Sequence, residues 1–236
     1  MNSRFLLESI IGPRTLHSAM QLTASVAIYA QNKAPPLILI DDHPSYPQAI
    51  LQVFGQIKHR RRRHGRGRRK HPRLKPPLDL QVGVVKKLRD NRGNLLKVSS
   101  KALFGKRKEI EERIQKLGIG HQINTSHMER LNGTIRGQQA RLARRTRNGS
   151  HLESLLQYSV WVWRDLYNWT RVHYSLWDET PAMALGLTDE VWTVRQYILH
   201  PTHVSNLQRL DWAEQRNRVL ESAIDAYKRN KALPIS

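Results

Sequence analysis

The chain has 236 residues and no cysteine, and 40 lysine and arginine residues against 19 acidic residues give a formal net charge of +21. Disulfide bonds and thiolate zinc sites are therefore excluded, and the cytoplasm is the default location. So large a positive charge favours nucleic acid as partner, followed by an anionic membrane surface. No apolar run approaches the roughly 20 residues that span a bilayer, and Glu8 interrupts the early run too soon for a signal peptide. We therefore expect a cytoplasmic, nucleoid-associated protein that binds no membrane.

Residues 1–57 alternate between strand and helix patterns, which predicts an α/β sheet with helices packed on it. Apolar residues closed by a Gly-Pro pair predict a strand over residues 4–11. The cap residue Thr15 predicts a helix that reaches Ala30. The continuous apolar run 37–40 is typical of a strand buried on both faces, and a short helix is predicted over residues 47–54.

Residues 58–77 are the most strongly biased part of the chain, with basic residues separated mostly by glycine, histidine and proline. Such a segment buries too little apolar surface to fold alone, so we expect a disordered arm that binds DNA phosphates. Its candidate DNA-binding residues are Arg60, Arg61, Arg62, Arg63, Arg66, Arg68, Arg69 and Lys70. A second basic cluster that includes Arg144 and Arg145 extends the same positive surface. Neither cluster predicts sequence specificity, because phosphate contacts position a protein without reading bases.

Residues 78–178 contain two strand patterns followed by helix patterns, and residues 179–236 are predicted as a helical tail. The strands cover residues 80–88 and 95–104, and Asp90-Asn91-Arg92-Gly93 between them predicts a hairpin turn. The predicted helices cover residues 106–117, 124–145, 150–174, 190–199 and 205–228.

Two acidic residues stand where metal-dependent chemistry on DNA needs them. Asp41 directly follows the apolar run 37–40, and the carboxyl ends of strands are where α/β sheets place ligands. Glu129, Asn132 and Arg136 are spaced by three and seven residues, which places them within about 60° on one face of a helix. The acid suits a metal ion, and the amide and guanidinium suit phosphates. Magnesium retains several waters, so two or three carboxylates are enough to hold it.

Two motifs carry a family resemblance. DDHPSY at Asp41–Tyr46 and INTSHMERLNGTIR at Ile123–Arg136 resemble the second-Asp and Glu motifs of insertion-sequence DDE transposases of the insertion-element-one type. With flanking blocks, the resemblance covers about residues 3–198. It implies an RNase H-like core in which Asp41 closes the fourth strand and Glu129 lies on a later helix. It also implies cleavage and strand transfer of double-stranded DNA at transposon ends and target, Mg²⁺ or Mn²⁺ as metal, and a homo-oligomer.

The sequence departs from that family at its start. The family's first catalytic Asp lies on a strand upstream of the RFLL-like strand, and only Met1-Asn2-Ser3 precedes that strand here. We therefore expect a core that lacks its first two strands and first Asp, with little or no strand transfer by this chain alone. The alternatives are a non-catalytic DNA-binding remnant of a transposase and a basic RNA-binding protein. Asp41 also suits a turn, and Glu129 also suits an exposed helix face.

Overall fold

The computed structural model describes residues 3–30, 37–58, 73–143 and 146–200, together with Glu214, Arg218, Glu221, Ile224 and Asp225. The predicted α/β class is confirmed. Within this part of the chain the helices are α1 (Leu16–Tyr29), α2 (Ser45–Phe54), α3 (Arg107–Lys116), α4 (Ser126–Gln138), α5 (Glu153–Trp169), α6 (Pro181–Ala184) and α7 (Val194–Leu199). The strands are β1 (Ile38–Asp41), β2 (Gln56–Lys58), β3 (Arg73–Lys75), β4 (Val82–Arg89) and β5 (Leu95–Phe104).

The chain divides into two compact units. The first unit joins Met1–Pro13 to Glu111–His203, and the second joins Arg14–Ile110 to Val204–Ser236. None of the described helices is both long enough and apolar enough to cross a bilayer.

The second unit contains a small mixed sheet with the strand order β1-β4-β5. Strand β1 is parallel to β4, with Ile38 opposite Val82 and Asp41 opposite Val85. Strands β4 and β5 form an antiparallel hairpin, as the sequence predicts. Its turn places Gly93 at φ 86°, a left-handed conformation that glycine adopts without strain. The side chain of Asp90 accepts hydrogen bonds from turn backbone groups, which is why an acid begins this turn.

Helices α1 and α2 pack on this sheet. The cap prediction for α1 is confirmed, because Thr15 Oγ1 accepts a hydrogen bond from Ser18 N at 3.3 Å. Apolar residues of both helices meet the strands in one buried cluster, which consists of Ala27, Ile40, Ile50, Phe54, Leu80, Val82 and Val84. Burying a Val, Ile or Phe side chain contributes about 1.5–3 kcal/mol, so this cluster holds the end of β1 in place.

The two ends of the predicted basic arm form ordered structure. Strand β2 pairs antiparallel with β3, so that Lys58 lies opposite Arg73 and Gln56 opposite Lys75. These strand residues contradict the prediction of a disordered segment, because the backbone groups of β2 and β3 pair with each other in an antiparallel ladder. The eight basic residues predicted to bind DNA between Arg60 and Lys70 fall within 59–72, outside the described residues.

The predicted strand over residues 4–11 is wrong. In the first unit this segment lies along α5, and α5 side chains satisfy its backbone groups. Gln157 Oε1 accepts from Ile11 N at 2.7 Å, and Gln157 Nε2 donates to Ser9 O at 2.8 Å. A carboxamide offers one acceptor and a donor group, which is the pair that a neighbouring strand would supply. The segment therefore has its hydrogen bonds without belonging to a sheet.

Several helices of the first unit are shorter than predicted. The predicted helix 150–174 is Glu153–Trp169, and the hydroxyl of Ser150 before it donates to Leu152 O. The predicted helix 124–145 ends at Gln138 and is followed by a single 3-10 turn at Ala140–Leu142. It runs through both of its glycines without a break. Helix α7 begins at Val194 instead of residue 190, behind a capping box at its start.

Candidate metal and nucleic-acid site

Asp41 is the last residue of β1. Ile40 before it is buried, whereas Asp41 is exposed, so the chain places the carboxylate at the edge of the sheet as it leaves the core. The parallel partner of Asp41 is Val85, and helix α2 begins four residues later at Ser45. This position confirms the prediction that Asp41 lies at the carboxyl end of a strand.

The next residue, Asp42, forms an ion pair that the sequence analysis missed. Lys86 Nζ lies 3.4 Å from Asp42 Oδ2, and both side chains are more than one-third exposed. An exposed pair of this kind contributes about 0–1 kcal/mol, so its main effect is to place a cation beside the two acids. The signal in the sequence is that Lys86 directly follows the apolar run of β4, but only the strand register brings it opposite Asp42.

The rest of the DDHPSY motif forms a compact turn. Tyr46 N donates to His43 O at 3.2 Å, and the two rings stack edge-on with centroids 5.8 Å apart. Burial raises the pKa of the Tyr46 hydroxyl, the Asp41 carboxylate raises it further, and Arg14 opposes this rise. Asp41, Tyr46 and Arg14 therefore share one electrostatic neighbourhood at this edge of the sheet.

Glu129 lies in the first turn of α4, in the first unit. Thr125 Oγ1 donates to Glu129 Oε1 at 2.8 Å. An acid in the first turn is stabilised by the positive end of the helix dipole. Asn132 and Arg136 are exposed on the same helix, three and seven residues further on, and so share the face of Glu129 as predicted.

The residues before Glu129 serve the start of the helix. Asn124 Oδ1 accepts from the backbone and hydroxyl of Ser126 at 3.3 and 2.7 Å, and Asn124 Nδ2 donates to Gln122 O at 3.0 Å. Thr125 uses its hydroxyl on Glu129 and makes no cap bond. The Asn-Thr-Ser part of the motif therefore builds the turn that positions Glu129.

Helix α4 exposes its apolar residues, and polar contacts attach one of its ends. No residue of α4 is buried, and Met128 is 51% exposed. Contacts at the carboxyl end attach the helix to α5. Trp163 Nε1 donates to Gln138 Oε1 at 2.8 Å, and Ser159 Oγ lies 3.2 Å from Gln139 Oε1.

The donor chemistry fits a hard divalent cation. Asp41, Asp42 and Glu129 offer carboxylate oxygens, which are the ligands that Mg²⁺ and Mn²⁺ prefer. Within the described ranges, no three His, Asp or Glu residues are grouped so that they could hold a metal ion. Asp41 belongs to the second unit and Glu129 to the first, so a shared site stays a prediction.

Two further predicted DNA contacts, Arg144 and Arg145, lie outside the described residues. Their described neighbours Arg141 and Arg147 are exposed. The described part of the basic cluster therefore presents positive charge to solvent.

No protein-family model, curated protein or solved structure matches the chain. The transposase resemblance therefore rests on the two motifs and their flanking blocks.

Proposed function

We propose that this chain is part of the catalytic core of a DDE-type DNA transposase, which cleaves DNA and transfers strands with Mg²⁺ or Mn²⁺. The observation that carries the proposal is the position of Asp41. It ends a strand of a β-α-β crossover, in which β1 and β4 are parallel and α2 lies between them in the chain. The carboxyl end of such a strand is where α/β folds bind phosphate-bearing ligands and their metals. An RNase H-like core places its metal-binding acids at the same kind of position.

In this proposal Asp41 and Glu129 hold the metal. The bound ion would activate the attacking and the leaving oxygen of the scissile phosphate. Asn132 and Arg136, on the same helix face as Glu129, contact the DNA backbone beside the acid. The net charge of +21 supplies the attraction that brings duplex DNA to this face.

Chemical crosslinking tests whether the two carboxylates meet, and the absence of cysteine gives a clean background. Ions of a two-metal site lie about 4 Å apart, so their ligands fall within roughly 8 Å. We expect a bis-maleimide of about that span to join the thiols of the Asp41→Cys/Glu129→Cys variant within one chain. The matched control is Asp41→Cys/Asp90→Cys. Asp90 lies five residues beyond Val85, the partner of Asp41, which is about 16 Å along the strand.

The control pair should stay unlinked. If the Asp41→Cys/Glu129→Cys variant also stays unlinked, although each thiol reacts with a simple maleimide, the shared site does not exist. Mass spectrometry of a tryptic digest reads out both variants.

The metal itself gives an independent test that does not need turnover. Fe²⁺ takes oxygen ligands as Mg²⁺ does, and with peroxide it produces radicals that cut the backbone near the bound ion. We expect cuts close to residues 41 and 129, which excess Mg²⁺ suppresses and the Asp41→Ala variant lacks. Cutting that is spread evenly along the chain, or that Mg²⁺ leaves unchanged, would count against the proposed metal ligands.

A non-catalytic DNA-binding protein is the second candidate. It is favoured by the net charge of +21, which attracts DNA phosphates without any catalytic group. The discriminating result is salt-sensitive DNA binding without metal-directed cutting. Competition between duplex DNA and structured RNA at one salt concentration separates this candidate from a basic RNA-binding protein.

A further inference from the structure

The β4–β5 hairpin extends beyond the sheet to which it belongs. Strand β1 ends at Asp41, opposite Val85, whereas β4 continues to Arg89 and pairs with β5 as far as Leu95. Strand β5 is the last strand in the order β1-β4-β5. Past Val85, the hairpin is therefore a two-stranded ribbon, and among the described strands neither of its edges has a partner.

This ribbon is strongly basic. Its cations are Lys86, Lys87, Arg89, Arg92 and Lys97, and Lys101 lies just before it on β5, opposite Val84. The only acid between residues 86 and 101 is Asp90, and the turn itself engages that carboxylate. Asp90 Oδ1 accepts from Asn94 N at 2.7 Å and from Arg92 N at 2.9 Å, and Asp90 Oδ2 accepts from Asn94 Nδ2 at 2.9 Å. The sign of the ribbon's charge is therefore positive along its whole length.

The strand register places three lysines of the β4–β5 hairpin on one face of it. Lys86 lies opposite Ser99, Leu88 opposite Lys97, and Val84 opposite Lys101. Residues directly opposite each other point to the same side, as do residues two apart along a strand. Lys97, Lys86 and Lys101 thus follow one another along this face in steps of roughly 7 Å. All three are exposed, and Lys86 is the one that also contacts Asp42.

Apolar side chains alternate with these cations. Leu88, Leu95, Leu96 and Val98 are each about half exposed or more. An exposed strand edge with such residues is normally a liability, which the lysines offset by repelling a second copy. A surface that mixes spaced cations with apolar side chains suits the grooves of duplex DNA, where phosphates flank the sugars and thymine methyl groups.

We infer that the β4–β5 hairpin is a second DNA-binding element, which lies along duplex DNA with Lys97 and Lys101 on backbone phosphates. The inference takes duplex DNA as the partner from the proposed function, on which it rests in this respect. It depends on neither the metal site nor the basic arm. The DNA major groove is about 12 Å wide and admits a two-stranded ribbon. The deep, narrow major groove of A-form RNA does not, so duplex DNA is favoured over duplex RNA.

The test compares the salt dependence of duplex-DNA binding for the full chain and two double variants. Lys97→Gln/Lys101→Gln removes two charges from the hairpin. Lys108→Gln/Lys116→Gln removes two from exposed positions on α3 and is the matched control. Each phosphate contact contributes about 0.9 to the slope of log K against log salt. We expect the hairpin variant to lower this slope by about 1.8 and the control to leave it nearly unchanged.

A variant that conserves the charge distinguishes loss of a phosphate contact from loss of folding. Lys97→Arg/Lys101→Arg should retain the wild-type slope, and all variants should melt at the wild-type temperature. Equal slopes for the hairpin and control variants, with wild-type DNA binding intact, would overturn the inference and leave the proposed function standing. A wild-type chain that binds no DNA would overturn the proposed function itself.

Two further outcomes would assign the hairpin to another partner and so overturn the inference. One is equal loss of binding to an A-form RNA duplex of the same sequence. The other is a hairpin-dependent affinity for vesicles of anionic lipid that exceeds the affinity for DNA.

Discussion

The side-chain amide of Asn168 pairs with both backbone groups of Leu6, across a separation of 162 residues. Leu6 N donates to Asn168 Oδ1 at 2.9 Å, and Asn168 Nδ2 donates to Leu6 O at 2.9 Å. Asn168 is 1% exposed and Leu6 is 9% exposed, so no solvent replaces these bonds. One side chain on α5 therefore holds the amino-terminal segment of the first unit in place, in the way a neighbouring strand would.

Replacing this amide should destabilise the protein. Asn168→Ala leaves the Leu6 N–H and C=O buried without partners, and each unpaired group costs about 1–3 kcal/mol. We expect the free energy of unfolding to fall by about 2–4 kcal/mol, measured by urea denaturation followed by tryptophan fluorescence. Asn148→Ala, at an exposed asparagine of the same unit, is the control and should change stability by no more than about 0.5 kcal/mol. Equal effects of the two substitutions would show that the pairing carries no stability.

The β4–β5 turn should weaken in acid. Hydrogen bonds from the Asn94 side chain and backbone lower the pKa of Asp90 below its usual value of 3.8, and the Arg92 and Gly93 amides add to this. A lowered pKa in the folded state means that the stabilising bonds exist above the unfolded-state pKa and are lost as the pH falls through the folded-state pKa. We expect local opening of the hairpin only below about pH 4, seen as a loss of protection of the Asn94 amide relative to its intrinsic exchange rate at each pH.

The matched variant for the turn is Asp90→Asn. It keeps the acceptor oxygen but has no titrating group, so the acid-dependent loss of protection at the Asn94 amide should disappear. Protection that is still lost in this variant at the same pH would place the acid sensitivity elsewhere in the hairpin.

The Tyr197 hydroxyl should lose its proton at a higher pH than an ordinary tyrosine. Burial first, and then the hydrogen bond and the charge of Asp165, raise the pKa of its hydroxyl to about 12, and Arg164 opposes this rise. The Tyr197 hydroxyl donates to Asp165 Oδ2 at 2.8 Å. Because the folded-state pKa lies above the unfolded value, its contribution to stability is complete below about pH 10 and is lost as the pH rises towards 12. Ultraviolet difference titration against Tyr197→Phe isolates this hydroxyl.

The Asp165→Asn variant separates the causes of the shift at Tyr197. Removing the carboxylate should lower the pKa of Tyr197 towards 10, although burial keeps it above that value. A titration that Asp165→Asn leaves unchanged would show that the charge of Asp165 does not contribute to the shift.

The sequence predicted correctly those helices and strands that are determined by contacts between residues close together in the chain. The bounds of β5 and the turn that follows Asp90 agree with the prediction, because a turn sequence between two apolar runs determines a hairpin by itself. The Thr15 cap is confirmed for the same reason. Residues 4–11 were wrongly predicted as a strand, because their hydrogen-bonding partners are side chains about 150 residues away, which no local pattern reports.

The candidate site was predictable to the same extent. The sequence placed Asp41 at the end of a strand and Glu129 on a helix, since each follows from the pattern around it. The contact between Lys86 and Asp42 depends on the register between β1 and β4, which are 40 residues apart in the sequence. The exposure of Met128 could not be predicted, because apolar spacing on a helix indicates a face and not what covers it.

The basic arm, residues 58–77, should contribute separately to the salt dependence of DNA binding. If about six of its side chains neutralise phosphates, DNA affinity falls roughly a thousandfold between about 50 and 200 mM salt. Replacing the run Arg60–Arg63 by glutamine removes four of these charges and should lower the log–log slope by about 3.6.

The arm's matched control removes four charges from α3 and its amino-terminal flank, through glutamine at Lys106, Lys108, Arg113 and Lys116. The arm and the hairpin are different stretches of chain, so combining the arm variant with Lys97→Gln/Lys101→Gln should add their slope changes, to about 5.4. A smaller combined change would mean that arm and hairpin compete for the same phosphates. An arm variant that behaves like its control would show that the net charge, and not the arm, attracts the DNA.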